Sequence, residues 1–186
     1  MSRRRMLVGA ALAAAISGAV VSATPGSGSQ STVLGRGRFE AFDVSRRVLA
    51  PKDNESDAQA VRGKGKESGH RGRTIWKVEA EAEPAVDIAT QMITFEPGGQ
   101  SGWHTHPGPV FIAVIEGTMT FYESDDPDCE PIVRHAGEGF VDGQTDRQSH
   151  IARNETALPA MNLVTYFAPP GAPLRNDAPN PGNCPF

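Results

Sequence analysis

The sequence predicts an all-β fold, a small antiparallel β-barrel or jelly roll. Glycine contributes 20 and proline 15 of the 186 residues, well above the ~12% that the two residues make up in an average protein. After residue 23 no long segment repeats its apolar residues with the 3.6-residue period of a helix. Seven short strand-like segments separated by turn residues are instead typical of a sandwich or barrel. They are Ile75–Glu79, Val86–Phe95, Val110–Glu116, Thr118–Glu123, Ile132–Arg134, His150–Arg153 and Met161–Phe167.

Residues 1–23 have the three parts of a secretory signal peptide. Three arginines at positions 3–5 precede an apolar run from Met6 to Val21, and small residues lead to a cleavage point after Ala23. The run is shorter than the ~20 residues of a spanning helix, so an uncleaved anchor is the weaker alternative. The Arg-Arg pair resembles the bacterial twin-arginine signal. We therefore expect a secreted or otherwise extracytoplasmic protein.

The charge balance excludes several classes of partner. The formal net charge is −4, and removal of residues 1–23 takes away three arginines and no acidic residue. A more acidic mature chain is a poor ligand for nucleic acid or an anionic membrane surface. No P-loop or dinucleotide fingerprint is present, so nucleotide cofactors are not expected. A small molecule is the expected partner.

The segment before the barrel lacks the residues of a core. Residues 24–31 consist of Thr, Pro, Gly, Ser and Gln, which predicts a flexible leader. Residues 51–75 contain ten charged residues and no Leu, Phe, Met or Trp, and such a segment buries too little apolar surface to offset its ordering entropy. We therefore divide the chain into a signal peptide (1–23), a flexible leader and polar loop (24–74), a barrel (75–168) and a tail (169–186).

The strand at 110–115 is apolar at every position, which predicts that both of its faces are covered. The arm formed by residues 33–50 is one candidate cover. A second copy of the chain, in a homodimer, is the other.

The carboxyl-terminal tail is rich in proline, with six in its last 18 residues, and so predicts an extended segment lying on the barrel surface. Cys129 and Cys184 are the two cysteines of the chain. In an exported protein they predict a disulfide that ties down the tail, worth on the order of 3–4 kcal/mol.

Three histidines form the candidate chemical site. His104 and His106 are two residues apart, so in a strand their side chains share one face. His150 lies at the start of a later strand that can pair nearby. Neutral imidazoles are common ligands of divalent transition metals, and three of them leave coordination positions open.

The surroundings of these histidines resemble the cupin superfamily. Its first motif, G-x5-H-x-H-x3/4-E-x6-G, is matched at the right spacing by Gly98, His104, His106 and Gly117. Its second motif, G-x5-P-x-G-x2-H-x3-N, is matched by Gly139, His150 and Asn154. The resemblance covers roughly residues 86–168 and implies the cupin barrel.

Two departures from these motifs affect the site. The first motif's glutamate is replaced by Val110, so the usual carboxylate ligand is absent. In the second motif, Thr145 and Arg147 stand at the proline and inner glycine positions. The resemblance then implies a site of three histidines holding a divalent transition metal: iron, manganese, nickel, copper or zinc.

The resemblance implies three alternatives for function. Three-histidine cupins include dioxygenases of diketones and thiols, which predicts an oxidoreductase acting on a small metal-chelating substrate. A binding module without catalytic activity is the second alternative, and a zinc hydrolase with a metal-bound water is the third.

Four residues are candidates for the substrate pocket. Val110 and Ile112 are expected to face the barrel interior and form an apolar wall, which favours a small, partly apolar ligand. Trp103 flanks the first histidine, and Gln148 precedes the third. Asp142 and Gln144 are further polar groups expected near the open side of the metal.

Overall fold

A computed structural model describes residues 23–49, 74–142 and 148–186. Across these ranges the chain forms β-strands joined by turns and loops, with no helix. The predicted all-β fold is confirmed. The strands are β1 (Ser27–Leu49), β2 (Thr74–Gln100), β3 (His104–Thr105), β4 (Val110–Glu116), β5 (Thr118–Glu123), β6 (Ile132–His135), β7 (Gly139–Asp142), β8 (His150–Arg153), β9 (Ala160–Ala168) and β10 (Asn176–Asp177).

The strands pair antiparallel and form a nearly closed barrel. Hydrogen-bonded neighbours follow the order β10-β3-β8-β2-β9-β4-β7, while β5 pairs with both β6 and β8. The turn after β6 brings the two ends of the sheet together, because the Gly137 amide donates to the Val114 carbonyl at 2.8 Å. Closure of this kind leaves few unpaired strand edges.

The core follows from the alternation of side chains along β4 and β9. Val110, Ile112 and Val114 point inward from β4, and every second residue of β9 is buried. Because β4 pairs with β9 over most of its length, these inward faces meet in one cluster. Phe121 and Phe140 stack on each other in the same cluster, with ring centroids 4.4 Å apart.

The outward face of β4 is not covered by the arm. Phe111 is 50% exposed and Ile115 is 45% exposed. Residues 33–49 lie in β1, which pairs with β2 on another part of the sheet. Of the two candidate covers, the arm is therefore excluded for its described residues 33–49, because they pair with the edge of β2 instead.

Residues 27–31 of the expected flexible leader lie in a strand. Strand β1 begins at Ser27 and runs beside β2 as far as Leu49, and the register between them shifts at four places. Its side chains are almost all exposed, so the ladder of backbone hydrogen bonds stabilises it rather than apolar burial. Two expected strands, 75–79 and 86–95, are merged in β2. Pro84, which lacks an amide hydrogen, lies where the β1–β2 register shifts, between Glu40 and Phe42.

Several sequence-based expectations concern other parts of the chain. The signal peptide with its arginines, the greater part of the polar loop, and Gln144 lie outside the described residues. Among the residues that are described, none belongs to a helix long and apolar enough to cross a membrane.

Candidate metal centre

The barrel brings the three histidines together at one end. His104 of β3 lies directly opposite His150 of β8 in the antiparallel ladder, and His106 follows two residues after His104. One ring nitrogen from each side chain lies within 4.8 Å of the others. The His104 and His150 ring centroids are 4.2 Å apart. The spacing in the sequence and the register between strands thus combine to form a possible three-histidine metal site.

Backbone carbonyls orient two of the rings. His104 Nδ1 lies 2.8 Å from the Gly102 carbonyl oxygen, and His106 Nδ1 lies 2.6 Å from that of Leu174. Because a carbonyl only accepts, each Nδ1 carries the proton and donates, which leaves Nε2 with its lone pair. Gly102 has a φ of +73°, and a Cβ there would overlap the Thr24 carbonyl. This turn therefore requires glycine.

Burial keeps the rings of His104 and His106 neutral. Loss of solvent lowers the pKa of His104 well below 6.5, and the neighbouring His150 and His106 lower it further. Burial also lowers the pKa of His106 to about 4, with His150 adding to the effect. At neutral pH both side chains are unprotonated, which is the form that binds metals.

A buried carboxylate lies beside the histidines. Asp142 of β7 has a side chain only 3% exposed, and its Oδ1 lies 2.8 Å from His150 Nδ1. Its Oδ2 lies 3.9 Å from His106 Nε2. In β4 and β7, Asp142 is the direct partner of Val110, which occupies the position of the motif glutamate. A carboxylate on the strand adjacent to β4 therefore lies beside the site in place of the missing motif glutamate.

His150 differs from the other two histidines in its contacts. Although Asp142 is close, Nδ1 has no aligned hydrogen-bond partner among the described residues. Such an unsatisfied buried nitrogen is rare in a folded protein.

A cavity of about 330 Å³ opens onto the three histidines. Its apolar wall includes Ile93, Phe95, Ile112, Phe121 and Val164. Its polar lining includes Gln91, Asn162, Tyr166 and Arg175. The Tyr166 hydroxyl donates to Gln91 Oε1 at 2.8 Å, and burial raises its pKa to about 12. The hydroxyl is therefore a neutral hydrogen-bonding group at neutral pH.

The carboxyl-terminal tail forms part of this site. Strand β10 pairs with β3, placing Asp177 opposite His104, and the Ala178 amide donates to the Trp103 carbonyl at 2.9 Å. The predicted disulfide between Cys129 and Cys184 is present, and Cys184 packs with Trp103 in a second apolar cluster. The tail thus holds Leu174 and Arg175 beside the histidines.

The four predicted pocket residues have different positions. Ile112 lines the cavity. Trp103 is buried in the second cluster, with Tyr122 and Ile151, and Val110 lies in the main core. Gln148 donates to Asp125 Oδ1 at 2.6 Å on the surface. Of the four, the structure brings Ile112 to the cavity wall.

Several residues that line the cavity were not predicted from the sequence. Asn162, Val164 and Tyr166 alternate along β9, so the inward face of that predicted strand was a usable signal. Arg175 and Leu174 carry no comparable signal, because they follow a proline-rich segment whose path depends on the disulfide and the β3 pairing.

Comparisons with known proteins agree with this fold. The profile of the Cupin_2 family, described as a cupin domain, matches residues 91–166. No curated protein sequence matches this chain.

Solved structures of similar fold share little sequence with the chain. The polyketide cyclase RemF from Streptomyces resistomycificus is 20% identical, with a TM-score of 0.41 over 49% of this chain and 60% of that one. A conserved protein with a double-stranded β-helix domain from Klebsiella pneumoniae is 20% identical, with a TM-score of 0.42 over 50% of this chain and 76% of that one. An oxalate oxidase is 26% identical, with a TM-score of 0.36 over 43% of this chain and 41% of that one. The chain thus spans three fifths or less of two of these three structures.

The matched profile covers the end of β2, β3 to β8 and most of β9, and includes all three histidines. The motif positions, the barrel and the family profile agree, and residues 91–166 of the chain form a cupin domain.

Proposed function

We propose that this cupin binds a divalent transition metal ion through His104, His106 and His150 and acts on a small metal-chelating substrate in the adjoining cavity. The reaction class we favour is an oxidation with dioxygen as the oxidant. One observation carries the proposal: three buried imidazoles converge within 4.8 Å at the end of a cavity.

The residues present fit a metal ion. One ring nitrogen from each of the three histidines lies within 4.8 Å of the others, and imidazole nitrogens are common ligands of divalent transition metals. His104 and His106 each donate from Nδ1 to a carbonyl, which directs the basic Nε2 away from the backbone. Such outer hydrogen bonds hold metal-binding imidazoles in the required tautomer.

The charge of the donor set also favours a cation. Three neutral imidazoles contribute no charge, and Asp142 contributes one negative charge within contact distance of His150. A divalent ion there would be partly neutralised, to about +1. When bound, it would supply Lewis acidity and, for a redox-active metal, electron exchange with substrate and dioxygen.

The chain's own residues would bind and orient the substrate. Ile112 and Val164 exclude water from the cavity and contact apolar parts of the substrate. Three protein nitrogens leave coordination positions for a chelating molecule. Asp142 would place a negative charge beside the His150 ring, since its Oδ1 lies 2.8 Å from His150 Nδ1.

We also propose that the protein is exported. Its disulfide is compatible with an oxidising compartment. The signal peptide on which the proposal depends lies outside the described residues, so amino-terminal sequencing of the protein after secretion is its direct test.

Elemental analysis tests the metal site. The full chain is purified without chelators or a histidine tag, beside His106→Ala and a matched control, His135→Ala. His135 is an exposed histidine on β6, and its Nδ1 contacts the Thr118 hydroxyl. We expect close to one transition metal ion per chain in the wild type and the control, and its loss in His106→Ala with an unchanged circular dichroism spectrum. Equal metal content in all three proteins would refute the site.

Oxygen consumption tests the reaction class. The metal-loaded protein is offered diketones, thiols and flavonoids, with His106→Ala as the blank. Uptake that requires His106 supports an oxidoreductase. Zinc content together with ester cleavage would instead indicate a hydrolase, and metal binding without any turnover would indicate a binding module.

A further inference from the structure

We propose that Arg175 binds the carboxylate of an anionic substrate, which makes a small metal-chelating carboxylate with an apolar remainder the substrate class of this cupin. The proposal rests on the metal site proposed above and adds the identity of the group that the cavity recognises beside it.

The charges that line the cavity favour an anion. Arg175 is a cation in the lining, and the described lining residues include no Asp or Glu. Arg175 lines the same cavity as His104, His106 and Tyr166. A divalent ion at the histidines would add positive charge to the same end. The chain as a whole is acidic, so this positive end is a local feature of the cavity.

The Arg175 guanidinium has N–H groups that donate to no acceptor among the described residues. Arg175 Nε donates to Asp177 Oδ1 at 2.6 Å, and that carboxylate is 54% exposed at the outer rim. Among the described residues, no acceptor takes a hydrogen bond from either Nη1 or Nη2. An arginine held by one partner and open at its other nitrogens matches the geometry with which guanidinium groups bind carboxylates.

The tail holds Arg175 in place. Leu174, the preceding residue, accepts from His106 Nδ1 at 2.6 Å, and the following residues form β10 against β3. Backbone contacts on both sides therefore hold the Arg175 backbone beside the histidines, and the Arg175 side chain lines the same cavity as they do. An oxygen bound at the histidines and a carboxylate bound at Arg175 can belong to one small molecule.

A second polar group in the cavity also lacks a partner. Asn162 is 2% exposed and lines the cavity, and its buried Oδ1 has no hydrogen-bond partner among the described residues. An unsatisfied buried acceptor facing a cavity points to a ligand that donates to it. A hydroxyl or amide hydrogen on the substrate would satisfy this atom.

Calorimetry with matched probes tests the proposal. The metal-loaded full chain is titrated with the α-keto acid 3-methyl-2-oxobutanoate and with the neutral diketone pentane-2,3-dione. Both probes present oxygens for chelation, but only the first carries a carboxylate. Wild type, Arg175→Gln, Arg175→Lys and the control Arg134→Gln are compared, and the metal content of each is measured first. Arg134 is a partly exposed arginine of β6 outside the cavity lining, and its substitution by glutamine removes the same charge.

We expect Arg175→Gln to lower the affinity for the α-keto acid at least tenfold and Arg175→Lys to lower it less. Both variants should keep an affinity for the diketone within about threefold of that of wild type. Arg134→Gln should leave both affinities unchanged. Equal α-keto acid affinity in wild type and Arg175→Gln, at equal metal content, would overturn the Arg175 proposal while the metal site stands. A wild type that binds no metal would instead overturn the proposed function.

A second variant covers the case in which Arg175→Gln does not fold. Asp177→Asn removes the carboxylate that competes for the guanidinium without touching the lining. It should strengthen α-keto acid binding severalfold and leave the diketone unchanged. Unchanged α-keto acid affinity in this variant would refute the assignment.

Discussion

Asp142 lies directly opposite Val110 in the β4–β7 ladder. Val110 occupies the position at which the cupin motif has a metal-binding glutamate, and it contributes only an apolar side chain to the core. Asp142 is buried, with an oxygen 2.8 Å from His150 Nδ1. Strand β7, adjacent to β4, therefore supplies a carboxylate beside the histidines where the motif glutamate is missing.

Replacing Asp142 with asparagine should weaken metal binding. The amide keeps the size of the side chain but removes its negative charge and its ability to accept at both atoms, so we expect an affinity about 10- to 100-fold lower. Competition with a chromogenic chelator measures this. Asp125→Asn, on the surface beside Gln148, is the matched control. Affinity within twofold of wild type would show that Asp142 does not act on the ion.

Removing the disulfide should destabilise the protein and release the tail. The Cys129–Cys184 bond closes a loop with a sequence separation of 55, for which loop-closure entropy predicts a contribution of about 4 kcal/mol. Urea unfolding of a Cys129→Ser/Cys184→Ser variant should show a loss close to that size. A variant as stable as wild type would mean that backbone pairing alone holds the tail.

Asn154 should be essential for stability rather than for metal binding. It is fully buried, and its Nδ2 donates to the carbonyls of Phe95, Glu96 and Leu158, while its Oδ1 accepts from Thr156. Substitution by alanine leaves several of these groups unpaired, so we expect a loss of about 2–4 kcal/mol. Thermal unfolding and metal content are measured together. Loss of metal in a variant of native stability would contradict this role.

Asp87 should make the protein sensitive to acid. Hydrogen bonds from Arg38, the Gly171 amide and Arg36 hold the pKa of this carboxyl well below its usual range. A folded-state pKa below the unfolded value of ~3.9 stabilises the fold above that pH, and the stabilisation declines as the pH falls through ~4 and below.

Asp87→Asn should therefore be less stable than wild type at pH 7, and the gap should narrow near pH 3. The free energy of unfolding in urea at the two pH values measures this, with the exposed Asp43→Asn of β1 as the control. A gap that stays constant with pH would assign the effect to packing instead of charge.

The sequence was most informative where the determining pattern is local. Strand-like segments separated by turn residues predicted β4, β5 and β8 at their observed bounds, because turn residues interrupt a strand locally. Side-chain direction in a strand depends only on position along it, which placed His104 and His106 on one side. The two cysteines, in an expected oxidising compartment, predicted the disulfide.

Local patterns were least informative where backbone pairing replaces apolar burial. Strand β1 has few buried side chains, so composition indicated a flexible leader there. Its stability comes from pairing with the edge of β2, whose paired residues lie 25 to 73 positions further along the chain. No property of residues 27–49 alone shows that this edge is free to pair with them.

The same distinction, between patterns local in the chain and pairing between distant segments, applies to the residues of the site. The histidine spacing can be read along the chain, but the position of Asp142 beside His150 follows from the register of β7 on β4 and of β8 on β3. Arg175 reaches the cavity because the tail pairs with β3 and is tied at Cys184. These contacts join segments far apart in the chain, and their positions follow from the packing and pairing of the whole barrel. For that reason the chain order indicates a metal site, whereas the folded barrel supplies its carboxylate and the arginine beside it.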